Sequence, residues 1–276
     1  MALRLKDTAA YVAIKDAKKA LVRRIKLPQY LGTTFACTVC GTKLRAFKPI
    51  WKSYRRRATE VGYIYPLSSI ETFNYEAFSC PACDASDRER VYALYFDRLF
   101  GTFDRQRHYR FVEFAPSPAL QKRLRRYSFL DYRSADLYRR TVDDRVDITD
   151  MRGYADNSID VILCSHILEH VPEDRMAMRE MYRTLHPDGV AVVMVPIIHG
   201  VEETQEDPSI TSDDMRWKYY GLDDHIRQYG KNDFVRRLEA AGFKVSQLGA
   251  SYFGEQAFRR AGIAQDSVLY VGSKPA

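Results

Sequence analysis

From residue 109 onward, segments with strand composition alternate with segments of helical periodicity. Strands alternating with helices at this spacing form a mostly parallel sheet covered on both faces. The pattern therefore predicts an α/β fold, with Asn232 or Asp233 opening its last helix. The strand-like segments are YRFVEFA, FLDYRSADL, DRVDIT, IDVILCSHIL, GVAVVMVPI, KVSQLG and SVLYVGS, and the helix-like ones are PALQKRLRRY, PEDRMAMREMYRTL and KNDFVRRLEAAGF.

The length and composition set the scale of this fold. With 276 residues, 46% of them apolar, the chain can bury one full-sized core and carry a small additional module. It has no run of 18 uncharged apolar residues, and charges interrupt its first 16 residues too early for a secretory signal. We therefore expect a soluble cytoplasmic protein.

The net charge of +7 is unevenly distributed. Residues 1–59 carry 15 Lys or Arg and two Asp, a net charge of +13, and the remaining chain has a net charge of −6. Attraction to phosphate or to an anionic surface should therefore reside in the N-terminal region. The larger domain is not expected to be a basic nucleic-acid binder.

Two Cys-x-x-Cys pairs lie in a segment, residues 33–87, that lacks helical periodicity and is rich in aromatic and turn residues. Four thiolates in two such pairs can hold one tetrahedral zinc ion with no position left open for catalysis. A reducing cytoplasm disfavours disulfides, and two separate redox pairs would be unusual. The predicted zinc ligands are Cys37, Cys40, Cys80 and Cys83.

The N-terminal region offers two further basic surfaces. Residues 1–32 are predicted to contain a basic amphipathic helix that ends at Pro28, and residues 1–27 could contact an anionic membrane surface or a partner protein. The alternative is a helix packed on its own protein with a solvated basic face. Between the cysteine pairs, RAFKPIWKSYRRRATEVGYIYP could bind RNA through arginine charge and Trp51 or Tyr54 stacking, form a solvated face, or receive a phosphate-bearing carrier.

The segment FVEFAPSPAL contains the first loop of the predicted sheet. Ligands bind such sheets beyond the carboxyl ends of the strands, where the strand order reverses. Ala115, Ser117 and Ala119 are small enough for a ligand to approach the backbone. Pro116 and Pro118 leave few N–H donors, which suits a nucleoside better than a pyrophosphate.

Three carboxylates accompany this loop. Glu113 lies inside an otherwise apolar strand, where an unpaired carboxylate would be costly. Asp136 follows near the end of the next strand and could accept hydrogen bonds from ribose hydroxyls. Asp147, after the third strand, is placed to meet an adenine amino group. The sequence thus predicts a nucleoside site at this edge.

Three sequence blocks carry a resemblance to a known family. They are DNSIDVI (residues 156–162), LEHV (168–171) and LHPDG (185–189), within residues 111–197. In order and spacing they resemble class I S-adenosylmethionine-dependent methyltransferases, of the methyltransferase type 11-like group. A narrower resemblance, to cysteine-paired methyltransferases, rests on CPACDASDRERVYALYF, VEFAPSPAL and DHIRQYGKNDFVRRLEAAGF. The chain departs from that group at Glu113, often His there, and at Ser117, often Glu.

The resemblance implies a Rossmann-like, seven-stranded methyltransferase sheet with a small N-terminal zinc-binding module. The corresponding division is a basic helix (1–32), a zinc-ribbon-like module (33–87) and a methyltransferase domain (88–276). It also implies that the EFAPSPA loop binds the cofactor, S-adenosylmethionine, and that the zinc is structural. The expected cofactor contacts are Glu113, Ala115, Pro116, Ser117, Asp136, Asp147, Ile148 and Ser165.

Histidines supply the candidate catalytic groups. The HILEH segment matches a His-x-x-Glu-His zinc-protease pattern, which requires a helix. Because the segment follows an apolar strand and precedes Pro172, we expect a loop instead. In this loop His166 would lie near the transferred methyl group, and His170 would be structural. His225 is the candidate general base for an alcohol acceptor, whose methylation by direct displacement needs no catalytic metal. Arg227 and Tyr229 are candidate substrate contacts; alternatively, His225 and Arg227 only anchor the surrounding lid.

Three functions remain open at this point. Proteins of the narrower group are often associated with surface-glycan synthesis, which implies O-methylation of a saccharide or a saccharide-bearing metabolite. The alternative is an RNA base methyltransferase that grips RNA through the zinc module and the basic N-terminus. A degenerate methyltransferase fold serving as a non-catalytic adaptor is the third, because the usual glycines of the first loop are absent.

Overall fold

The computed structural model describes residues 21–275, which form an α/β fold preceded by a small N-terminal module. The strands are β1 (Leu31–Ala36), β2 (Lys43–Leu44), β3 (Tyr109–Phe114), β4 (Leu130–Asp136), β5 (Asp144–Arg145), β6 (Ile159–Ser165), β7 (Leu185–Met194), β8 (Lys244–Leu248) and β9 (Leu269–Ser273). The helices are α1 (Lys52–Glu60), α2 (Asp87–Gly101), α3 (Pro118–Leu124), α4 (Asp174–Thr184), α5 (Asp213–Tyr220), α6 (Lys231–Ala240), α7 (Ala250–Phe253) and α8 (Glu255–Ala261).

Strands β3 to β9 form one seven-stranded sheet in the order β5-β4-β3-β6-β7-β9-β8. Its strands pair in parallel except for β9, which is antiparallel to both β7 and β8. The predicted α/β fold with a seven-stranded, mostly parallel sheet is therefore confirmed. The third predicted strand, DRVDIT, shrinks to the two residues of β5 at the sheet edge.

The strand order reverses beside β3. The chain runs outward from β3 to β4 and β5, and then returns to the other side of β3 with β6. The connections after β3 and β6 consequently leave the sheet in opposite directions. Beyond the carboxyl ends of these two strands a crevice opens, which is where open α/β sheets bind ligands.

The N-terminal module contains a helix that the sequence analysis missed. Residues 33–87 were predicted to lack helices, but α1 spans Lys52–Glu60. Its Lys, Arg, Ala and Glu residues favour helix formation. Because Ala58 is the one buried residue of α1, the segment lacks the apolar periodicity by which a helix can be predicted from sequence.

The C-terminal helices also differ from the prediction. Helix α6 begins at Lys231 with Gly230 at its N-cap, so the prediction that Asn232 or Asp233 opens it was wrong. Asp233 lies in the first turn and accepts a hydrogen bond from Arg237 at 2.7 Å. Helices α7 and α8 were not predicted, because four and seven residues are too few to show a helical period.

The predicted basic helix at the N-terminus lies largely outside the described residues. Residues 21–26 are helical and continue into a 3₁₀ turn, Leu27–Tyr30, so Pro28 does not end the helical conformation. Within this part the side chains of Leu21, Val22 and Ile25 are exposed. Contact with a membrane or partner through residues 1–27 stays a prediction. Among the helices of residues 21–275, none has both the length and the apolar composition to cross a bilayer.

A buried arginine connects the module to the sheet domain. Arg90, in α2, is fully buried, and its guanidinium lies 3.9 Å from the ring centre of Phe47. It donates hydrogen bonds to five backbone carbonyls, three in the module and two at the end of α8. The carbonyl groups are those of Ala77, Phe78, Ala85, Ala261 and Gly262.

Replacing Arg90 should destabilise the whole protein. Arg90→Met leaves these carbonyls and the fully buried Asp87 without their cation, so we expect a loss of about 3–5 kcal/mol in the free energy of unfolding. Arg260→Met, at an exposed position, is the matched control and should change it by less than about 0.5 kcal/mol. Urea denaturation followed by circular dichroism measures both; equal stability of the two variants would contradict the role given to Arg90.

Candidate active site

A cavity of about 640 Å³ opens at the carboxyl ends of β3, β4 and β6. Its position is the crevice expected from the strand order. Four of the predicted cofactor contacts line it, together with the candidate catalytic His166. The lining residues are Phe114, Ala115, Asp136, Leu137, Tyr138, Val146, Asp147, Ile148, Thr149, His166, Ile167, His170, Val171, Pro172, Glu173 and Asp224.

The loop after β3 turns sharply without a glycine. Ala115 adopts a φ of +49°, a conformation usually left to glycine, and its small side chain tolerates the strain. Its N–H donates to the carbonyl of Ala135 at 2.8 Å, and the N–H of Ser117 donates to Glu113 at 3.1 Å. Because Pro116 has no N–H, residues 115–117 offer no free amide to a phosphate. The loop therefore suits a nucleoside better than a phosphate.

Contacts from three sides hold this loop. The Arg139 guanidinium donates to the carbonyl of Pro116 at 2.7 Å. The Ser117 hydroxyl donates to Glu89 of α2 and accepts from the N–H of Leu120, which caps α3. The strained turn is therefore fixed by the surrounding structure before any ligand arrives.

Glu113 is buried under the loop. Its carboxylate accepts from the Tyr132 hydroxyl at 2.6 Å and from the Ser117 N–H. Burial raises the pKa of Glu113 to about 7. Glu113, Ser117 and Ser165 line a smaller cavity of about 120 Å³ that shares Phe114 and Ala115 with the larger one, and the Ser165 hydroxyl lies 2.7 Å from the hydroxyl of Tyr92. Pro116 is buried and lines neither cavity.

Asp136 and Asp147 each have one carboxylate oxygen that accepts no hydrogen bond, although Asp136 Oδ2 lies 4.0 Å from Nε of Arg139. Asp136 Oδ1 accepts the N–H groups of Tyr138 and Arg139, both at 2.8 Å. Asp147 Oδ1 accepts the N–H and the hydroxyl of Thr149 at 2.8 and 2.7 Å. Among the described residues, the second oxygen of neither carboxylate has a hydrogen-bond donor. Both side chains line the larger cavity, where these oxygens can accept hydrogen bonds.

The HILEH segment forms a loop with a short 3₁₀ turn at Leu168–His170, as expected, and not the helix of a zinc protease. His166 turns out of β6 with a φ of +55°. Its Nδ1 lies 3.1 Å from Oε1 of Glu169 and 3.3 Å from the Arg88 guanidinium. Burial, and then the Arg88 charge, lower the pKa of His166 to about 4, so its imidazole is neutral at pH 7.

His225 lies next to this cluster but does not reach the cavity. It is buried, its Nδ1 donates to the carbonyl of Tyr220 at 2.7 Å, and burial lowers its pKa. The ring of His170 packs edge-on against it with 4.7 Å between centroids, and His170 lines the cavity instead. A base must reach the acceptor's proton, so this position does not favour His225 as a direct base.

Arg227 and Tyr229 are engaged within the protein. The Arg227 guanidinium donates to Glu206 and to the carbonyls of residues 168, 171 and 172, and the buried Tyr229 hydroxyl donates to Asp174. Neither lines the larger cavity. Their contacts correspond to the anchoring alternative and do not support the prediction that they bind substrate.

Sequence reasoning missed the contribution of α2. Arg88, Glu89 and Tyr92 line the smaller cavity, and Glu89 reaches the loop after β3. A local signal was present, because Ser86 and Glu89 form a capping box at the start of α2. That signal locates the helix but not its contact with a loop 28 residues later.

The four paired cysteines converge. Their sulfurs all lie within 4.8 Å of one another, with 3.7 Å between Cys37 and Cys83 and 3.9 Å between Cys40 and Cys80. Four sulfurs at about 2.3 Å from one zinc ion stand about 3.8 Å apart. The residue after each pair, Gly41 or Asp84, has a positive φ, as a tight knuckle around a metal requires. The cluster suits a zinc ion.

The basic segment between the pairs is partly neutralised. Arg55 lies 3.6 Å from Glu76, Arg56 lies 3.4 Å from Glu60, and Arg57 pairs with Asp214. Trp51 is exposed, whereas Tyr54 packs against the ring of Trp217. These ion pairs reduce the positive charge that the segment could present to RNA.

Removing one cysteine of the cluster should release a tightly bound zinc ion. Cys80→Ser replaces a thiolate by a poor ligand, so we expect zinc lost on dialysis and a lower thermal midpoint. Cys164→Ser, a buried cysteine outside the cluster, should keep the metal. Elemental analysis measures both; a Cys80→Ser protein with unchanged zinc content would exclude this site.

Glu113 should make stability depend on pH. Its pKa is about 7 when folded and 4.5 without the fold. The folded state therefore holds the proton more tightly, and the free energy of unfolding falls by up to about 3 kcal/mol between pH 4.5 and 7. Glu113→Gln should lack this fall, and the exposed Glu239→Gln should keep it. Parallel pH profiles for wild type and Glu113→Gln, measured by denaturation, would refute the assignment.

One family model matches the chain. The model of a family described as "Methyltransferase domain" matches residues 69–248. No curated protein matches the sequence significantly. Solved structures similar to this one include the YcgJ protein of Bacillus subtilis, with 13% identity over 67% of this chain and 99% of that chain and a TM-score of 0.43.

Two further similar structures are methyltransferases. One is an S-adenosylmethionine-dependent methyltransferase of Archaeoglobus fulgidus (13% identity, 67% of this chain and 92% of that chain, TM-score 0.41). The other is phosphoethanolamine N-methyltransferase 2 of Haemonchus contortus with phosphomonomethylethanolamine and S-adenosylhomocysteine (14% identity, 66% and 52%, TM-score 0.42). With the family match covering more than half of its length, the chain belongs to the methyltransferase-domain family and is a class I S-adenosylmethionine-dependent methyltransferase.

Proposed function

We propose that the protein methylates a hydroxyl group of a small acceptor, a saccharide or a saccharide-bearing metabolite. The observation that carries this proposal is the 640 Å³ cavity at the carboxyl ends of β3, β4 and β6, which is large enough for a nucleoside cofactor and part of an acceptor. S-adenosylmethionine supplies an electrophilic methyl group on a sulfonium. The two sides of the cavity carry different residues, one side suited to the cofactor and the other to the acceptor.

The β3 and β4 side of the cavity would hold the cofactor. The free oxygen of Asp136 can accept both ribose hydroxyls, and that of Asp147 can accept an adenine amino group. Ile148, which is buried beside Asp147, offers an apolar surface to the adenine ring. Ala115 allows close approach of the ligand to the loop backbone. Glu113, Pro116, Ser117 and Ser165 act indirectly, because they shape the loop or the smaller cavity behind it.

The β6 side would hold the acceptor. His166 and His170 line it together with Glu173 and Asp224, a set of hydrogen-bonding groups suited to a polyhydroxylated molecule. His166 is neutral and can orient an acceptor hydroxyl, while His225 supports the wall from behind. Holding the acceptor oxygen in line with the methyl group supplies much of the rate enhancement.

A small acceptor fits these observations better than RNA. Three of the four arginines of the basic segment, Arg55, Arg56 and Arg57, are paired with carboxylates, and the cavity is bordered by acidic side chains that would repel phosphate. The narrower resemblance to proteins associated with surface-glycan synthesis supports the saccharide class by association. We further propose that the four cysteines hold a structural zinc ion in the module of residues 33–87, and that residues 88–276 form the catalytic domain.

Asp136 should be needed for cofactor binding. Asp136→Asn keeps an acceptor for the N–H groups of Tyr138 and Arg139 but removes the charge, so S-adenosylhomocysteine should bind about ten- to a hundredfold more weakly. Asp131→Asn, on the same strand at its exposed amino end, should bind as wild type. Titration calorimetry decides: equal affinity of both variants would remove Asp136 from the site, and no binding by wild type would favour the adaptor.

Acceptor class is tested by methyl transfer from isotopically labelled S-adenosylmethionine. The candidates are neutral and nucleotide-linked saccharides on one side and total RNA on the other. We expect label in a saccharide fraction that is lost with Asp136→Asn. Label in RNA, abolished when Arg55, Arg56 and Arg57 are neutralised and reduced steeply by salt, would establish the RNA alternative instead.

A further inference from the structure

Glu169 carries a buried carboxylate that lies beside His166 and His225 but receives no well-aligned hydrogen bond from the described residues. The side chain is fully buried, and neither of its oxygens accepts a hydrogen bond from any of residues 21–275. Buried polar groups are nearly always hydrogen-bonded, because an unpaired one costs several kcal/mol and an unpaired charge more. Such a carboxylate is compensated either by a bound cation or by a proton on a neighbouring group.

Two imidazole nitrogens lie near this carboxylate. Nδ1 of His225 donates to the Tyr220 carbonyl, so in the neutral ring Nε2, 3.9 Å from Glu169 Oε1, bears a lone pair. Nδ1 of His166 lies 3.1 Å from the same oxygen and 3.3 Å from the Arg88 guanidinium. The lone pair on His225 Nε2 and the carboxylate repel one another unless a cation lies between them.

His170 completes a set of metal ligands. Its Nδ1 donates to the backbone carbonyl of Asp224 at 3.2 Å, which leaves Nε2 free in the same way as in His225. Metal-binding histidines generally donate their other ring N–H to a carbonyl or carboxylate, which fixes the ring. One ligand atom from each of Glu169, His170 and His225 lies within 4.8 Å of the others. Two imidazoles and a carboxylate are typical ligands of divalent first-row ions.

We propose that Glu169, His170 and His225 bind a divalent transition-metal ion, separate from the zinc of the cysteine cluster. Two atoms bound to one ion at about 2.1 Å can stand up to about 4.2 Å apart, so the 3.9 Å between Glu169 and His225 already fits. The remaining separations need only small side-chain rotations. His166 and Arg88 flank the ion on its β6 side.

The position of this ion deepens the proposed function and rests on it. Because His170 lines the cavity, an ion held by these three residues would lie at the cavity wall, where it could meet the proposed acceptor. A cation there lowers the pKa of an acceptor hydroxyl, whose proton passes to solvent water. An oxygen lone pair then forms the new C–O bond while the C–S bond breaks, and its electron pair stays on sulfur. The ion would thus promote deprotonation of the acceptor hydroxyl, which the buried His225 cannot do directly as a general base.

Zinc stoichiometry tests the proposal without any activity measurement. Zinc is removed from the full-length protein with a chelator and restored, and elemental analysis counts the ions per chain. We expect two in wild type and in His108→Gln, a control histidine at the amino edge of the sheet, but one in Glu169→Gln and one in Cys80→Ser. His170→Gln, at a less buried ligand, should bind the second ion at least about tenfold more weakly in calorimetry.

The outcomes separate this proposal from the proposed function. If wild type and Glu169→Gln bind the same number of ions, and His170→Gln has wild-type affinity, a proton on His225 compensates Glu169 and the metal site is refuted. Circular dichroism and S-adenosylhomocysteine binding identify a variant that has failed to fold. A protein that binds S-adenosylhomocysteine but only one zinc ion keeps its methyltransferase function and loses this site.

Discussion

The structure depends on the burial of one guanidinium. Arg90 has no access to solvent, so every donor it carries must find an acceptor within the protein. It finds them in carbonyl groups of two chain segments, one in the cysteine module 5 to 13 residues before it and one at the end of α8, 171 and 172 residues after it. Satisfying this single side chain requires both segments to be in place, and it therefore joins the module to the sheet domain.

From this junction the module reaches the loop after β3. The hydroxyl of Thr38, between the first two cysteines, donates to the Arg90 carbonyl, and Arg123 of α3 donates to the Thr38 carbonyl at 2.6 Å. On the other side, Glu89 accepts from Ser117 at the start of α3. Helix α3 is thus held at its start by the contact of Ser117 with Glu89 and near its end by the contact of Arg123 with Thr38. A loop without glycine needs this support, because Ala115 keeps its positive φ only while its surroundings enforce it.

The sheet could be predicted from the sequence because each of its long strands carries its own apolar pattern. Residues at strand ends, such as Asp136 and Asp147, could be placed at the cavity for the same reason: parallel strands bring their carboxyl ends to one edge. Contacts between distant segments could not be predicted from the sequence. HILEH alone gave no reason to expect a ligand set, since its third member, His225, arrives from a segment 55 residues after His170. Likewise, the burial of Arg227 and Tyr229 follows from packing against residues 168–174, which local pattern does not encode.

The most direct test of this account is a crystal structure of the protein with S-adenosylhomocysteine. The account predicts the ribose at the free oxygen of Asp136, the adenine against Ile148 beside Asp147, and the sulfur directed toward His166 and the β6 side of the cavity. A ligand bound elsewhere, for example in the depression between Arg152 and Glu180, or an adenine placed on the β6 side, would contradict it.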